Sequence, residues 1–175
     1  MKRILILVML MLSLFSCKPN VDLPTVERVD IQRYLGLWYE IGRLPNSFEK
    51  DMTCVTAHYS LKDNGKIAVL NKGYLAKDGG KFNEAKGTAW VPDAQFPGRL
   101  KVSFFWPFAG DYYIISLDEN YQYVLVGDPS RKYMWVLSRT KILDDSIYNS
   151  LLEIAKNKGF AIENIIKVDQ DCVPH

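Results

Sequence analysis

Gly36-Leu37-Trp38-Tyr39-Glu40-Ile41 and Trp135-Val136-Leu137-Ser138-Arg139-Thr140 are the two stretches from which the rest of this 175-residue chain is read. Each is a short apolar run rich in aromatic and branched residues, the composition of a half-buried strand. One carries a large flat ring near its start; the other ends on a planar, permanently charged cation. A closed barrel that is to hold a ligand needs one end plugged against water, and an indole capped by a guanidinium would do that well. Taken alone, the Gly-x-Trp reads better as an ordinary core tryptophan, so the segments between the two stretches decide.

Those segments follow the grammar of a β-meander. Short β-rich runs recur at 38–44, 53–62, 66–76, 81–91, 98–106, 111–118, 121–127 and 132–139, separated by turn signals such as Lys62-Asp63-Asn64-Gly65 and Lys77-Asp78-Gly79-Gly80. Eight strands suffice to close a barrel. From Asp144 to Asn157 the period changes: Ile147, Leu151, Ile154 and Ala155 fall on one helical stripe, with Asp144 as N-cap and Gly159 just past the end. The expected fold is therefore all-β, an eight-stranded up-and-down antiparallel barrel with one C-terminal helix packed outside and a short final strand over 162–168.

The residues that carry this reading also carry a family resemblance. Tyr34-Leu35-Gly36-Leu37-Trp38-Tyr39-Glu40-Ile41, His58-Tyr59-Ser60-Leu61, Val69-Leu70-Asn71-Lys72-Gly73-Tyr74, Leu100-Lys101-Val102-Ser103-Phe104-Phe105 and Trp135-Val136-Leu137-Ser138-Arg139-Thr140 follow one another as in the lipocalins. The chain resembles their bacterial outer-membrane branch, related to apolipoprotein D, over nearly all of residues 27–175, with Gly127-Asp128-Pro129 standing where many lipocalins carry Thr-Asp-Tyr. The resemblance implies that Gly36, Trp38 and Arg139 close the barrel, with the Arg139 guanidinium across the Trp38 indole, a contact worth about 2 kcal/mol when desolvated. It further implies that Tyr34, Tyr59, Asn71, Phe104 and Trp135 line a ligand cavity. Strand alternation adds Leu137, because Trp135, Leu137 and Arg139 share one parity, and it groups Val69 with Asn71 and Gly73, and Ala57 with Tyr59 and Leu61. For each cavity aromatic, a packed core role stays open beside the ligand role.

The start of the chain sets a compartment. Lys2 and Arg3 precede the apolar run Ile4 to Phe15, too short for the roughly 20 residues that span a bilayer, and Leu14-Phe15-Ser16-Cys17 has the form of a lipobox. Residues 1–16 are expected to be a lipoprotein signal peptide, Cys17 the lipidation site, and 17–26 a lipidated tether, with acyl chains holding the protein on a membrane. Lys18, where an Asp would favour retention on the inner membrane, points to the outer membrane, and the periplasmic face is the expected one. Without the leader, 159 residues with 20 basic and 20 acidic side chains remain, a net charge of zero. No dense Lys/Arg cluster offers the counterion release that drives nucleic-acid binding, so no nucleic-acid partner is expected; a homodimer stays open.

Cys17 aside, Cys54 and Cys172 are left in an oxidising compartment, where an even pair suggests a disulfide and two free thiols are the alternative. The resemblance implies the bridge, since apolipoprotein D joins a Cys before its second strand to one near its C-terminus. His58 and His175 are the only histidines; neither sits at ligand spacing from a cysteine, so no metal and no cofactor is expected. No Ser or Cys nucleophile with a His and a carboxylate is evident either. One lipocalin isomerase uses a free Cys inside its barrel, and only Cys54 could take that role here. A binding protein is thus expected rather than an enzyme, with fatty acid or lysophospholipid as the ligand that the resemblance implies. A structural envelope lipoprotein and a lipid-acting barrel enzyme are the alternatives.

Overall fold

The computed structural model describes residues 22–76 and 80–172; the leader of residues 1–16 and Cys17 lie outside the described residues. Eight strands run up and down in chain order: β1 (Gly36–Arg43), β2 (Met52–Leu61), β3 (Ile67–Leu75), β4 (Lys81–Trp90), β5 (Arg99–Phe105), β6 (Phe108–Leu117), β7 (Tyr123–Gly127) and β8 (Met134–Ser138). Each pairs antiparallel with the next, and β1 closes the ring by pairing with β2 from Gly36↔Tyr59 to Tyr39↔Thr56 and with β8 from Tyr39↔Ser138 to Arg43↔Trp135. The expected barrel is the observed one. Among the described residues no helix is long and apolar enough to cross a membrane.

Alternation explains why β7 and β8 are apolar throughout. Val124, Val126 and Leu137 face inward, into a core with Trp38, Ile114 and Leu100, whereas Leu125, Met134 and Val136 face outward beneath α2 (Asp145–Asn157). This stretch of wall is buried on both sides, so it needs hydrophobic residues on both parities. Asp144 caps α2 by accepting from the Ser146 hydroxyl and backbone N–H, and those hydrogen bonds, the hydroxyl's first, hold its carboxyl below the usual range. The helix buries Tyr148, Leu151 and Ala155, with Ile147 and Ile154 at the edges of the contact. The expected stripe is found, its centre turned slightly toward Tyr148.

The short final strand is present but narrower than 162–168: a 3-10 turn, Ile162–Asn164, precedes a two-residue strand β9 (Ile166–Lys167) paired at Gly42↔Lys167 and Arg43↔Ile166. The reason is the short edge on offer: β2 is paired with β1 as far as Tyr39, and only the last residues of β1 remain open on that side. A four-residue helix, α1 (Ile31–Tyr34), capped by Asp30, precedes β1; it is too short to show a helical period. Leu61, grouped with Ala57 and Tyr59, is half exposed at the end of β2.

Where β1 and β2 part, the C-terminal tail fills the seam. The Val168 N–H donates to the Ile41 carbonyl at 2.9 Å, the Cys54 N–H to the Asp169 carbonyl at 2.7 Å, and Gln170 Nε2 to the Glu40 and Val55 carbonyls at 2.7 and 2.9 Å. The Cys54–Cys172 disulfide, with Cα atoms 6.1 Å apart, fastens this strap.

Candidate functional site

The closed end is built on Trp38, which is fully buried. Its Nε1 donates to the Tyr34 carbonyl at 2.8 Å, and the Arg139 guanidinium lies 3.8 Å from its ring centroid. Arg139 also donates to the carbonyls of Leu37 (2.8 Å), Arg33 (2.8 Å), Tyr34 (3.3 Å) and Tyr121 (3.2 Å). A cation there answers the orphan carbonyls at the end of α1. Gly36 has φ +94°, a conformation open to glycine, and a Cβ on it would meet an Arg139 nitrogen at 3.4 Å. Arg139→Ala is expected to lower stability by about 2 kcal/mol, a melting-temperature drop of about 4–8 °C. Ligand titration well below the transition should be unchanged; a large affinity loss at constant stability would contradict this division of labour.

Above the plug lies a cavity of about 660 Å³ that opens at the far end of the barrel. Tyr34, Tyr59, Asn71, Phe104, Trp135 and Leu137, the six residues singled out in the sequence, all line it. They are spread over its height. Tyr34 and Tyr59 form the floor, Leu137 and Asn71 the wall, and Trp135 stands near the mouth beside Phe48 and Tyr133, with ring centroids 6.3 and 6.2 Å away.

Four further residues complete the site. Tyr112 joins the floor: its hydroxyl lies 2.7 Å from that of Tyr34 and 3.1 Å from that of Tyr59. Burial pushes all three phenols up, Tyr59 to about 12, so they stay neutral hydrogen-bonding groups at every ordinary pH. Tyr112-Tyr113 are neighbours on opposite faces of β6, and the parity of Ile114, which faces inward, would have placed Tyr112 inside.

Glu40, Arg43 and Glu49 were not legible in this way. On a regular strand residues 40 and 43 point to opposite faces. A bulge between Glu40 and Gly42 turns both Ile41 and Gly42 outward, where a Cβ on Gly42 would sit 2.7 Å from the Tyr148 hydroxyl. Glu40 and Arg43 therefore share the inside, with Arg43 Nη1 2.7 Å from Glu40 Oε1. Arg43 Nη2 donates to the Glu49 and Met52 carbonyls at 2.7 and 3.0 Å, while Glu49 Oε2 accepts from Asn46 Nδ2 at 2.7 Å and Trp135 Nε1 at 2.9 Å. Burial, then the neighbouring Glu49, raise the Glu40 carboxyl to about 8, outweighing Arg43. Glu40 therefore holds its proton far more tightly than an ordinary carboxyl, and through Glu49 the cluster orients Trp135 at the mouth.

One polar atom in this apolar wall is unanswered: Asn71 Oδ1 is buried without a hydrogen-bond partner. Buried acceptors are rarely left so. Cys54 is tied up in its disulfide, which removes the only candidate for a barrel thiol, and among the described residues no group of three or more His, Cys, Asp or Glu side chains is placed to hold a metal ion.

The fold and cavity can now be set beside known proteins. The lipocalin-like domain family matches residues 29–170. The outer membrane lipoprotein Blc of Escherichia coli K12 is 41% identical over 161 residues, covering 92% of this chain and 90% of the relative. Mouse apolipoprotein D is 38% identical over 159 residues, 86% and 82% of the two chains. Among solved structures, insecticyanin from the tobacco hornworm superimposes with a TM-score of 0.68 at 22% identity over 85% of this chain and 84% of that one, a likeness of fold alone. With its closed eight-stranded barrel, its Trp38–Arg139 plug and these relatives, the chain belongs to the lipocalin family.

Proposed function

We propose that this protein is a lipid-anchored lipocalin of the outer membrane that binds and carries one acyl lipid, a fatty acid or a lysophospholipid, in its barrel during envelope maintenance or stress. The observation that carries the reading is the cavity itself: about 660 Å³, plugged at one end, open at the other and walled mainly by apolar side chains. That volume lies within the roughly 300–1,000 Å³ of small-molecule sites, which pair an apolar wall with a few placed polar groups. Tyr59, Phe104, Trp135 and Leu137 would cover the chain, while Asn71 Oδ1, a buried acceptor without a partner, would accept from a hydroxyl or ammonium of a lysophospholipid head or from a protonated fatty-acid carboxyl. Lipocalins generally bind and transport rather than catalyse, and turnover of the lipid is the outcome that separates an enzyme from a carrier.

The localisation rests on the leader, the Ser16-Cys17 lipobox and the likeness to the Escherichia coli outer membrane lipoprotein Blc. Residues 1–16 would be removed, Cys17 acylated, and residues 17–26 would tether the domain of residues 27–175, facing the periplasm. Cys17→Ser should abolish acyl labelling and release the protein from the outer-membrane fraction or leave it as a precursor. Unchanged fractionation with retained label would refute the anchor.

Titration of palmitate or a lysophospholipid into delipidated protein should saturate at one ligand per barrel and shift the emission of Trp135. Trp135→Ala removes a large apolar surface and should weaken binding by about 1–3 kcal/mol. Equal affinity in the variant would move the ligand away from the mouth and against this reading.

A further inference from the structure

The barrel wall is incomplete on one side of the mouth. β4 and β5 pair only from Thr88↔Ser103 to Trp90↔Lys101, so residues 81–87 are paired with β3 alone, and Lys81 to Lys86 are all exposed. Phe104 sits at the foot of this slot, against Gly87, where a Cβ would come within 2.9 Å of its ring. It lines both the inner cavity and a groove on the outside of β2–β5.

That outer groove is basic and aromatic. It is lined by Lys62, Lys66, Lys86, His58, Trp90 and Trp106, among others, and by no carboxylate. Lys66 lies 5.3 Å from the Trp90 ring centroid, and Lys62 donates to Thr88 Oγ1 at 3.3 Å. Among the described residues, Lys86 pairs with Glu84 at 3.0 Å. Beside the groove stands the β5–β6 turn, where Phe105, Trp106 and Phe108 are 82%, 82% and 77% exposed. Three adjacent aromatics so open to water exceed the scattered apolar exposure of an ordinary surface and mark an interaction site. Aromatic tips beside lysines are the chemistry of a peripheral contact with an anionic membrane surface.

We propose that the outer face of β2–β5 docks side-on on an anionic phospholipid bilayer, with Phe105, Trp106 and Phe108 at its mouth end entering the interface, Lys62 and Lys66 of the closed-end β2–β3 hairpin and Lys86 of β4 meeting lipid phosphates, and the β4–β5 slot facing the lipid. The inference deepens the carrier reading and rests on it for the purpose of the slot. The path of the N-terminus agrees. Asp22 is held by Arg99 at 2.7 Å on the outer wall of β5 and β6, and Arg99 pairs in register with Tyr113, five positions from Phe108 along β6. At about 3.4 Å per residue that is roughly 17 Å. Asp22 is five residues from Cys17, a reach of at most about 18 Å. An acyl anchor on Cys17 and the aromatic turn can therefore occupy one membrane at once.

The test uses the full-length acylated protein reconstituted in phosphatidylcholine vesicles with and without phosphatidylglycerol, carrying brominated phospholipid. The quenching of Trp106, read as wild type minus Trp106→Phe, should be strong and should rise with phosphatidylglycerol. Neutralising Lys62, Lys66 and Lys86 to Gln should lower the docked population in phosphatidylglycerol vesicles by about fivefold per lysine and leave phosphatidylcholine vesicles unaffected. No quenching of Trp106, or equal quenching in the lysine variants, overturns the proposal. So does Trp106 emission that follows protein concentration and ignores vesicles, which would assign the patch to a second copy. Uptake of a pyrene-labelled fatty acid is measured in the same vesicles; quenching without uptake would uphold docking and overturn the carrier reading alone.

Discussion

Arg43→Met should destabilise the barrel by about 3–5 kcal/mol, the cost of breaking a buried charge cluster by removing one partner, and so lower the melting temperature by about 6–20 °C. The guanidinium is 3% exposed; it donates to the Glu40 carboxyl and satisfies the Glu49 and Met52 carbonyls. Without it the buried carboxyls of Glu40 and Glu49 lose the cation beside them and two carbonyls lose their donor. Adding Glu49→Gln to Arg43→Met should recover part of the loss, because the surplus charge is gone while the acceptor for Trp135 Nε1 remains. Thermal unfolding of the two variants checks this; a single variant within 1 kcal/mol of wild type would mean that water already reaches the cluster.

The same cluster makes stability depend on pH in a defined direction. Glu40 has an ordinary value of 4.5 and is raised to about 8 in the fold. The native state thus holds a proton that the unfolded chain releases, and between these two values the unfolded state binds fewer protons. The contribution of Glu40 is fully present below about pH 4.5, declines as pH rises and is lost above about 8. Glu40→Gln, which keeps the neutral shape, should flatten this decline in denaturation curves taken across that window.

Removing the disulfide should have the second large effect. The bridge closes a loop with a sequence separation of 118, for which the loss of unfolded-chain entropy gives roughly 5 kcal/mol as an upper figure and typical removals cost about 2–5 kcal/mol. The native-state consequence is local. The strap from Val168 to Cys172 fills the seam between β1 and β2 and seats Gln170 on the Glu40 and Val55 carbonyls. In Cys54→Ala, Cys172→Ala protein the amides of this strap and of the edge it covers should exchange faster than those of β7 and β8. Unchanged melting and unchanged protection would show that the strap holds without the bridge.

The fold was legible because its determinants are local and repeated. Eight β-rich runs at near-regular spacing, polar turns between them and one change of period before α2 leave few architectures open. The plug was legible through the family resemblance of two stretches, and Trp135 and Leu137 followed from their parity with Arg139. Parity failed wherever a bulge intervened. Glu40 and Arg43 look like residues on opposite faces until the extra residue near Gly42 is counted, and the requirement for it comes from Tyr148 in a helix a hundred residues away. Glu49 sits in the 44–51 connection, where alternation says nothing, and its role comes from Trp135, which is brought to it by the barrel. The two-residue β9 and the four-residue α1 are set by an open strand edge and by an end that needs covering, conditions of the closed barrel and not of their own sequences.

A barrel that holds one acyl lipid should keep it through purification without detergent. Native mass spectrometry of such protein detects it, with the bound species extracted and identified from the same sample. The expected spectrum shows a major peak heavier than the polypeptide by one fatty acid or lysophospholipid, lost on delipidation and restored on adding it back at one per chain. Folded protein, shown empty and refusing every acyl lipid offered, would contradict it.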